Sequence, residues 1–269
     1  MPYAEVNDIR MYYEEEGRGE PLLLLHGGLG AVDPAVSSSW SALLPTLASR
    51  YRTVSLEHRG HGRTDNPAGT LSYAQIADDV AAFIERFELA PVHLAGASLG
   101  GEVGLALGLT RPALLRSLVC VGANYRVDAP TREALAFFDA EVLQRDEPAF
   151  AAELARRHDT YRAPGYWREL VRQVRAMAEI GLALSEEDLR RIPVPTLLIV
   201  GEADPFNGVE QALVMRRCIP DSEVLILNHA GLDEMANHRV QYTRPDVVGP
   251  VVLDFLGRHE AASAPAADG

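Results

Sequence analysis

The stretch Val92-His93-Leu94-Ala95-Gly96-Ala97-Ser98-Leu99-Gly100-Gly101 decides the fold. It opens with the apolar run Val92–Ala95, which predicts a strand buried on both faces of a sheet. A helical pattern follows from Leu99 to Thr110, and Ser98 lies in the glycine turn between the two elements. Such a strand–turn–helix connection holds a hydroxyl group above the end of the sheet. We therefore predict Ser98 as a nucleophile and the N–H of Leu99, at a helix N-terminus, as a donor to an oxyanion.

Short apolar runs of the same kind recur along the chain and predict a sheet of eight strands. Helical patterns alternate with these runs, which favours an α/β fold with a mostly parallel sheet flanked by helices. The first two strands flank Asn7-Asp8 and are predicted to form an antiparallel hairpin. Besides the strand before Ser98, the predicted strands are Ala4–Val6, Ile9–Tyr13, Pro21–Leu25, Thr53–Leu56, Leu118–Val121, Thr196–Val200 and Val224–Leu227.

The strand pattern is interrupted after the sixth predicted strand. Residues 124–191 contain no strand signal and are predicted to form a helical lid inserted into a core of residues 1–123 and 192–258. Residues 259–269 are rich in alanine and are predicted to be disordered. The helices predicted in the lid are Thr131–Arg145, Ala149–Arg157 and Tyr166–Gly181.

The composition limits the classes of partner. The chain has 38 acidic and 25 basic residues and a formal charge of −13, so we expect it to be repelled by nucleic acids and by anionic membranes. No apolar run approaches the ~20 residues that cross a bilayer. The start, Met1-Pro2-Tyr3-Ala4-Glu5, has no secretory pattern. We expect a cytoplasmic monomer or homodimer that acts on a small-molecule substrate, with no cofactor and no metal.

The chain resembles the α/β-hydrolase family from about residue 4 to residue 256. The turn Gly96–Gly100 matches the family's G-x-S-x-G motif. His26-Gly27-Gly28, after the third predicted strand, resembles the family's oxyanion loop. The resemblance implies that the backbone N–H of Gly28, or that of Leu29, is the second donor to the oxyanion.

A second loop also matches this family. His58-Arg59-Gly60-His61-Gly62-Arg63-Thr64 resembles its R-G-x-G loop, although Glu57 stands where the family usually has an aspartate. We interpret this loop as structural because its glycines serve a turn. His58 and His61 are then expected to be surface or loop histidines and not ligands.

The catalytic acid is predicted in the loop that follows the seventh strand. Gly201-Glu202-Ala203-Asp204 resembles the family's G-x-x-D, which would place Asp204 at the carboxyl end of that strand. A serine nucleophile needs a base, and the base needs an orienting carboxylate. We predict Asp204 as this carboxylate, with Glu202 as the alternative.

Two histidines compete for the role of base. His238 lies in Ala236-Asn237-His238 and precedes Arg244-Pro245, which predicts the start of the last helix at the spacing usual in the family. His229 directly follows the eighth strand, but the family's usual histidine position there is occupied by Leu232. We predict His238 as the base, and His229 remains the alternative.

The resemblance implies a serine hydrolase that cleaves a carboxylic ester or lactone through an acyl-enzyme on Ser98. Three alternatives stay open: hydrolysis of a thioester, an amide or a C–C bond beside a ketone; a non-hydrolytic lyase, isomerase or cyclase; and a ligand receptor. Aromatic residues of the lid are candidates to line the substrate pocket, although packing between helices is their commoner role. These candidates are Phe137, Phe138, Tyr161 and Trp167.

Overall fold

The computed structural model describes residues 2–32, 39–228, 230–231 and 234–260. Within these ranges the strands form one eight-stranded sheet with the order β1-β2-β4-β3-β5-β6-β7-β8. The pairs β1–β2 and β2–β4 are antiparallel and the other five pairs are parallel, so the predicted fold class is confirmed. The strands are β1 (Tyr3–Val6), β2 (Ile9–Glu16), β3 (Pro21–Leu25), β4 (Arg52–Leu56), β5 (Val92–Ala97), β6 (Leu115–Val121), β7 (Thr196–Gly201) and β8 (Ser222–Leu227).

Helices connect the parallel strands and cover both faces of the sheet. Short 3₁₀ turns at Pro112–Leu114, Leu135–Phe137 and Asp159–Tyr161 join some of them. The α-helices are α1 (Leu44–Ala48), α2 (Tyr73–Arg86), α3 (Leu99–Thr110), α4 (Ala129–Ala134), α5 (Ala140–Asp146), α6 (Pro148–His158), α7 (Tyr166–Ile180), α8 (Glu186–Arg190), α9 (Val209–Cys218), α10 (Glu234–His238), α11 (Val240–Thr243) and α12 (Pro245–Arg258).

The central strands divide their side chains between two hydrophobic cores. In β3, Leu23 and Leu25 pack into the core that α2 and α3 cover, while Leu22 and Leu24 pack into the core that α1 and α12 cover. This alternation follows from the two-residue period of a strand. A strand buried on both faces holds its carboxyl end in a fixed place, and the loops at these ends carry the site described below.

Helices α4 to α8 lie between β6 and β7 and are called here the helical insertion. The prediction of one helix over Thr131–Arg145 is wrong, because the chain leaves the helical conformation at Phe138. Asp139 then caps α5 by accepting hydrogen bonds from the N–H groups of Glu141 and Val142, at 2.9 and 3.1 Å. An aspartate whose side chain binds nearby N–H groups favours a new helix start over continuation of the preceding helix.

The helical insertion has its own small core, which also includes a residue of the sheet domain. Leu143, Leu154 and Leu170 are buried together with Leu29, which belongs to the loop after β3. The insertion is thereby packed directly on that loop. None of the helices in the described ranges has the length and apolarity needed to cross a membrane.

Candidate active site

Ser98 lies at the sharp turn between β5 and α3. Its backbone has φ 52° and ψ −120°, and its N–H donates a hydrogen bond of 2.7 Å to the carbonyl of Val121. The glycines that flank Ser98 are needed because a side chain would overlap the neighbouring backbone. An added Cβ at Gly96 would lie 2.2 Å from the carbonyl carbon of Gly100. One at Gly100 would lie 2.6 Å from the carbonyl oxygen of Leu25. A positive φ at a non-glycine residue is uncommon and marks a strained position.

The loop after β3 lies against this turn. A Cβ added to Gly27 would be 3.4 Å from the Cβ of Ser98. Gly28 and Leu99 both line the cavity that Ser98 lines. Leu99 is the first residue of α3, so its N–H belongs to the end of the helix where such groups lack intrahelical partners. The two predicted oxyanion donors are therefore brought to the same cavity as Ser98.

Asp204 and His238 form a hydrogen-bonded pair at the ends of β7 and α10. The His238 Nδ1 atom lies 3.0 Å from each carboxylate oxygen of Asp204. The Asp204 Oδ1 also accepts hydrogen bonds from the N–H groups of Phe206 and Asn207, at 2.9 and 3.0 Å. Donation from Nδ1 leaves Nε2 as the acceptor of the ring. The alternative base His229 lies outside the described residues.

Two glycines make room for this pair at the ends of β6 and β7. An added Cβ at Gly122, where φ is +54°, would lie 3.1 Å from the Asp204 Oδ2 and 3.2 Å from the carbonyl oxygen of His238. One at Gly201 would lie 2.4 Å from the carbonyl oxygen of Asn237. The segment that carries His238 therefore approaches the sheet edge as closely as the backbone allows.

Two cavities meet at Ser98 and Gly28. The first, called here the His238-side cavity, encloses about 750 Å³ including the part open to solvent. Its walls are mostly apolar and include Phe137, Phe138, Phe150, Phe206 and Met235. The second, called here the Leu99-side cavity, encloses about 580 Å³ on the same measure. Leu99 lines only the second cavity and His238 only the first.

The structure separates the four predicted pocket residues into two groups. Phe137 and Phe138 line the His238-side cavity together with Phe206, whose ring centroid lies 4.9 Å from that of His238. Tyr161 is 41% exposed and Trp167 is buried among the helices of the insertion, and neither belongs to the described residues that line the two cavities. Neither cavity therefore supports their candidacy as pocket residues, and Trp167 packs on neighbouring side chains of the insertion instead.

His58 and His61 are expected to be surface or loop histidines, and the structure places them in a loop but not at the surface. Both belong to a loop, but both are completely buried and cluster with His26 and His158. Burial is the largest cause that lowers the pKa of all four rings, that of His58 to about 3. Within the described ranges, no three His, Cys, Asp or Glu side chains are arranged to hold a metal ion.

The histidine cluster binds the carbonyl groups of the loop after β3. The His61 Nε2 lies 2.8 Å from the carbonyl oxygen of Gly28, and its Nδ1 lies 2.9 Å from that of Arg59. From the insertion, the Nε2 of His158 lies 3.4 Å from the carbonyl oxygen of Leu29. Because a peptide group is planar, a fixed carbonyl of Gly28 also fixes the direction of the next N–H. The cluster thus holds the loop in one conformation.

Three polar residues beside Ser98 were missed in the sequence. Glu102, Asn124 and Asn207 line the Leu99-side cavity. Glu102 lies in the first turn of α3, four positions after Ser98, so the sequence places it close to the nucleophile turn. That signal was present in the sequence. The two asparagines lie in loops, and no local pattern predicts where those loops pack.

A family model described as "Alpha/beta hydrolase family" matches residues 22–250 of this chain. The chain belongs to the α/β-hydrolase family. The resemblance inferred from the sequence is therefore confirmed, and the protein is an enzyme of the hydrolase class.

Relatives in the α/β-hydrolase family extend over nearly the whole chain. "Putative carbamate hydrolase RutD" of Azorhizobium caulinodans is 29% identical over 276 residues, covering 96% of this chain and 98% of its own. The 2-hydroxy-6-oxo-6-(2'-aminophenyl)hexa-2,4-dienoic acid hydrolase of Metapseudomonas resinovorans is 26% identical, covering 95% and 90%. The solved structure of the carbazole-degradation serine hydrolase CarC has 25% identity and a TM-score of 0.73, covering 96% and 100%. The first two names describe different substrates, so the substrate of this chain has to be argued from the site.

Proposed function

We propose that the protein is a serine hydrolase that cleaves a carboxylic ester or a lactone through an acyl-enzyme on Ser98. The observation that carries this proposal is the Asp204–His238 pair, with 3.0 Å from Nδ1 to both carboxylate oxygens, beside a cavity that Ser98 also lines. The CarC neighbour, which is named as a serine hydrolase, supports the same chemistry.

The reaction follows from the roles of these groups. Asp204 holds His238 in the tautomer whose Nε2 takes the proton of the Ser98 hydroxyl, and the oxygen attacks the substrate carbonyl. The negative charge that develops on the carbonyl oxygen is stabilised by the N–H groups of Gly28 and Leu99. Removal of one such donor typically costs about 10²–10³ in rate. His238 then protonates the leaving alcohol, and it later activates the water that releases the acid.

The two cavities take different parts of the substrate. The leaving group departs on the side of the histidine because that residue gives it a proton. The alcohol portion is therefore assigned to the His238-side cavity, whose walls are the aromatic rings of Phe137, Phe138 and Phe206. The acyl portion is assigned to the Leu99-side cavity. Arg157 and Arg239 also line this cavity, so its apolar rings favour a leaving group with apolar surface but do not select for or against charge.

A fluorophosphonate probe tests the nucleophile directly. We expect the probe to label the wild-type protein once, at Ser98, and Ser98→Ala to abolish both labelling and the hydrolysis of p-nitrophenyl esters of short acids. Ser39→Ala is the matched control. We expect it to be labelled like the wild-type protein, because Ser39 lines the same cavity but is not the proposed nucleophile. An unlabelled wild-type protein, or a Ser98→Ala protein that still labels, contradicts the proposal.

The choice of base is tested with the same esters. We expect His238→Ala to remove hydrolysis and His229→Ala to retain most of it. The opposite result contradicts the assignment of His238. Incorporation of ¹⁸O from solvent into the released acid distinguishes hydrolysis from lyase or isomerase chemistry.

A further inference from the structure

Two buried amide groups beside Ser98 have unused acceptor atoms. Asn124 and Asn207 are 4% and 3% exposed, and both line the Leu99-side cavity. Among the described residues, the Oδ1 atom of neither one has a hydrogen-bond partner. The Nδ2 of Asn124 does have partners, since it donates to the Thr131 hydroxyl and to the carbonyl of Phe206, at 3.1 and 2.8 Å. A buried oxygen without a partner is costly, and a bound donor would remove that cost.

A third acceptor lies on the same wall. The Glu102 carboxyl lines the cavity, and its Oε1 accepts a hydrogen bond of 3.4 Å from the N–H of Asn124. Burial is the largest cause that raises the pKa of Glu102. The wall therefore combines a partly hydrogen-bonded carboxyl group with two amide oxygens, and all three groups favour a ligand that donates hydrogen bonds.

Charged groups of both signs line the cavity, since Arg126 lies there together with Glu102. The charges therefore select neither a cation nor an anion, and a carboxylate has no N–H group to donate to the two asparagine oxygens. The apolar part of the wall suits methylene groups and includes Leu135, Val174, Met177 and Leu182.

We propose that the Leu99-side cavity binds an acyl chain that carries a neutral N–H donor, an amide group above all, and that Asn207 and Asn124 accept its hydrogen bonds. This inference rests on the proposed function, because the acyl group reaches this cavity only if Ser98 is the nucleophile. The amide is a recognition element several bonds from the scissile ester and is not itself cleaved. Asn207 holds this position through its own backbone, whose N–H is bound to Asp204.

Three ethyl esters of nearly equal size test the inference in a pH-stat. The first, ethyl 5-amino-5-oxopentanoate, ends in a primary amide. The second, ethyl 5-oxohexanoate, replaces the NH₂ of that amide by a methyl group, and monoethyl glutarate replaces it by an oxyanion. We expect kcat/KM for the amide to exceed that for the ketone by roughly 5- to 100-fold, because the ketone leaves the asparagine oxygens unpaired. We expect the carboxylate to be poorer than the amide as well.

Two variants test whether the preference for the amide ester comes from Asn207. Asn207→Leu should lower the amide-to-ketone ratio of kcat/KM towards one, with the remainder carried by Asn124. Met177→Leu, a volume-conserving change in the apolar wall of the same cavity, should keep the wild-type ratio. If Asn207→Leu does not fold, the wild-type ratio alone still decides.

The failures of the two proposals are distinguishable. If the wild-type protein labels at Ser98 and hydrolyses the ketone ester as well as the amide ester, the cavity assignment is wrong and the serine hydrolase proposal stands. A wild-type ratio that Asn207→Leu leaves unaltered also overturns the role of that residue. If Ser98 is not labelled and none of the three esters is hydrolysed, both proposals fall.

Discussion

Replacement of Gly122 by alanine perturbs the Asp204–His238 pair, the proposed acid and base, without altering either residue. Gly122 ends β6 with φ +54°, and an added Cβ would lie 3.1 Å from the Asp204 Oδ2 and 3.3 Å from the His238 Nδ1. Ordinary contacts of such a carbon begin at 3.4 Å. The carboxylate must therefore move by about 0.3 Å, and the imidazole by less, to restore ordinary van der Waals contact.

The size of the expected effect follows from these distances. A misplacement of 1 Å in a catalytic group can cost about 100-fold, so on a logarithmic scale a shift of about 0.3 Å should lower kcat roughly fourfold. Alanine in the left-handed region also costs about 1–2 kcal/mol in the free energy of unfolding. That loss lowers Tm by roughly 2–8 °C.

A second glycine separates the two effects. Gly69 is exposed with φ +66°, and an added Cβ there meets no described atom within 4 Å apart from its chain neighbours. Gly69→Ala should therefore lose a similar amount of stability and keep the wild-type kcat. The assay is kcat on a p-nitrophenyl ester together with a thermal melt of each variant. Equal kcat values for Gly122→Ala and Gly69→Ala at equal stability refute the reasoning.

Three further predictions address the same network. Asp204→Asn should lower kcat by roughly 10³–10⁴ with little change in Tm, because the amide no longer selects the required tautomer of His238. His61→Ala should lower the free energy of unfolding in urea by about 1–3 kcal/mol, since the neutral ring donates its one N–H to one of two buried carbonyls and alanine leaves that carbonyl without its donor. Burial lowers the pKa of His58 from 6.5 to about 3. Between these two pH values the ring binds a proton in the unfolded chain but not in the folded chain. The free energy of unfolding should then fall as pH falls from 6.5 towards 3, and this ring contributes about 1.4 kcal/mol per pH unit. The free energy is measured by urea titration at pH 7, 6 and 5. His58→Gln should remove the contribution of this ring to the slope.

Local geometry explains why part of the site could be predicted from the sequence. The turn at Ser98 needs glycine at positions 96 and 100, because any side chain there would overlap the neighbouring backbone. The start of α3 also depends on local residues, because it directly follows Ser98 in the chain. The acid could be predicted for a similar reason, since Asp204 lies three residues beyond the end of β7.

The helical insertion shows where local patterns were insufficient. Helix α7 begins at the predicted residue, and the other three limits of α6 and α7 differ from the prediction by one residue each. The agreement is close because the apolar positions of both helices recur at helical spacing. The break at Phe138 was missed, although Asp139 is a good N-cap residue and its side chain could have signalled a new helix. For Tyr161 and Trp167 the sequence leaves open a place in the pocket or packing between helices, because residue type does not determine which neighbour an aromatic ring contacts.

The sequence by itself determined the order of the strands along the chain, the serine turn and the position of the acid, because each depends on residues only a few positions apart. Only the tertiary structure decided that His238 meets Asp204, which is 34 positions away, and that His61 is buried against the carbonyl of Gly28, 33 positions away. It also decided that Asn207 and Asn124 face one cavity with Ser98. Contacts of this kind depend on how loops from separate strands pack at one edge of the sheet. Burial at that edge lowers the pKa of a histidine and leaves an asparagine oxygen without a partner among the described residues, although the sequence presents both residues only as loop residues.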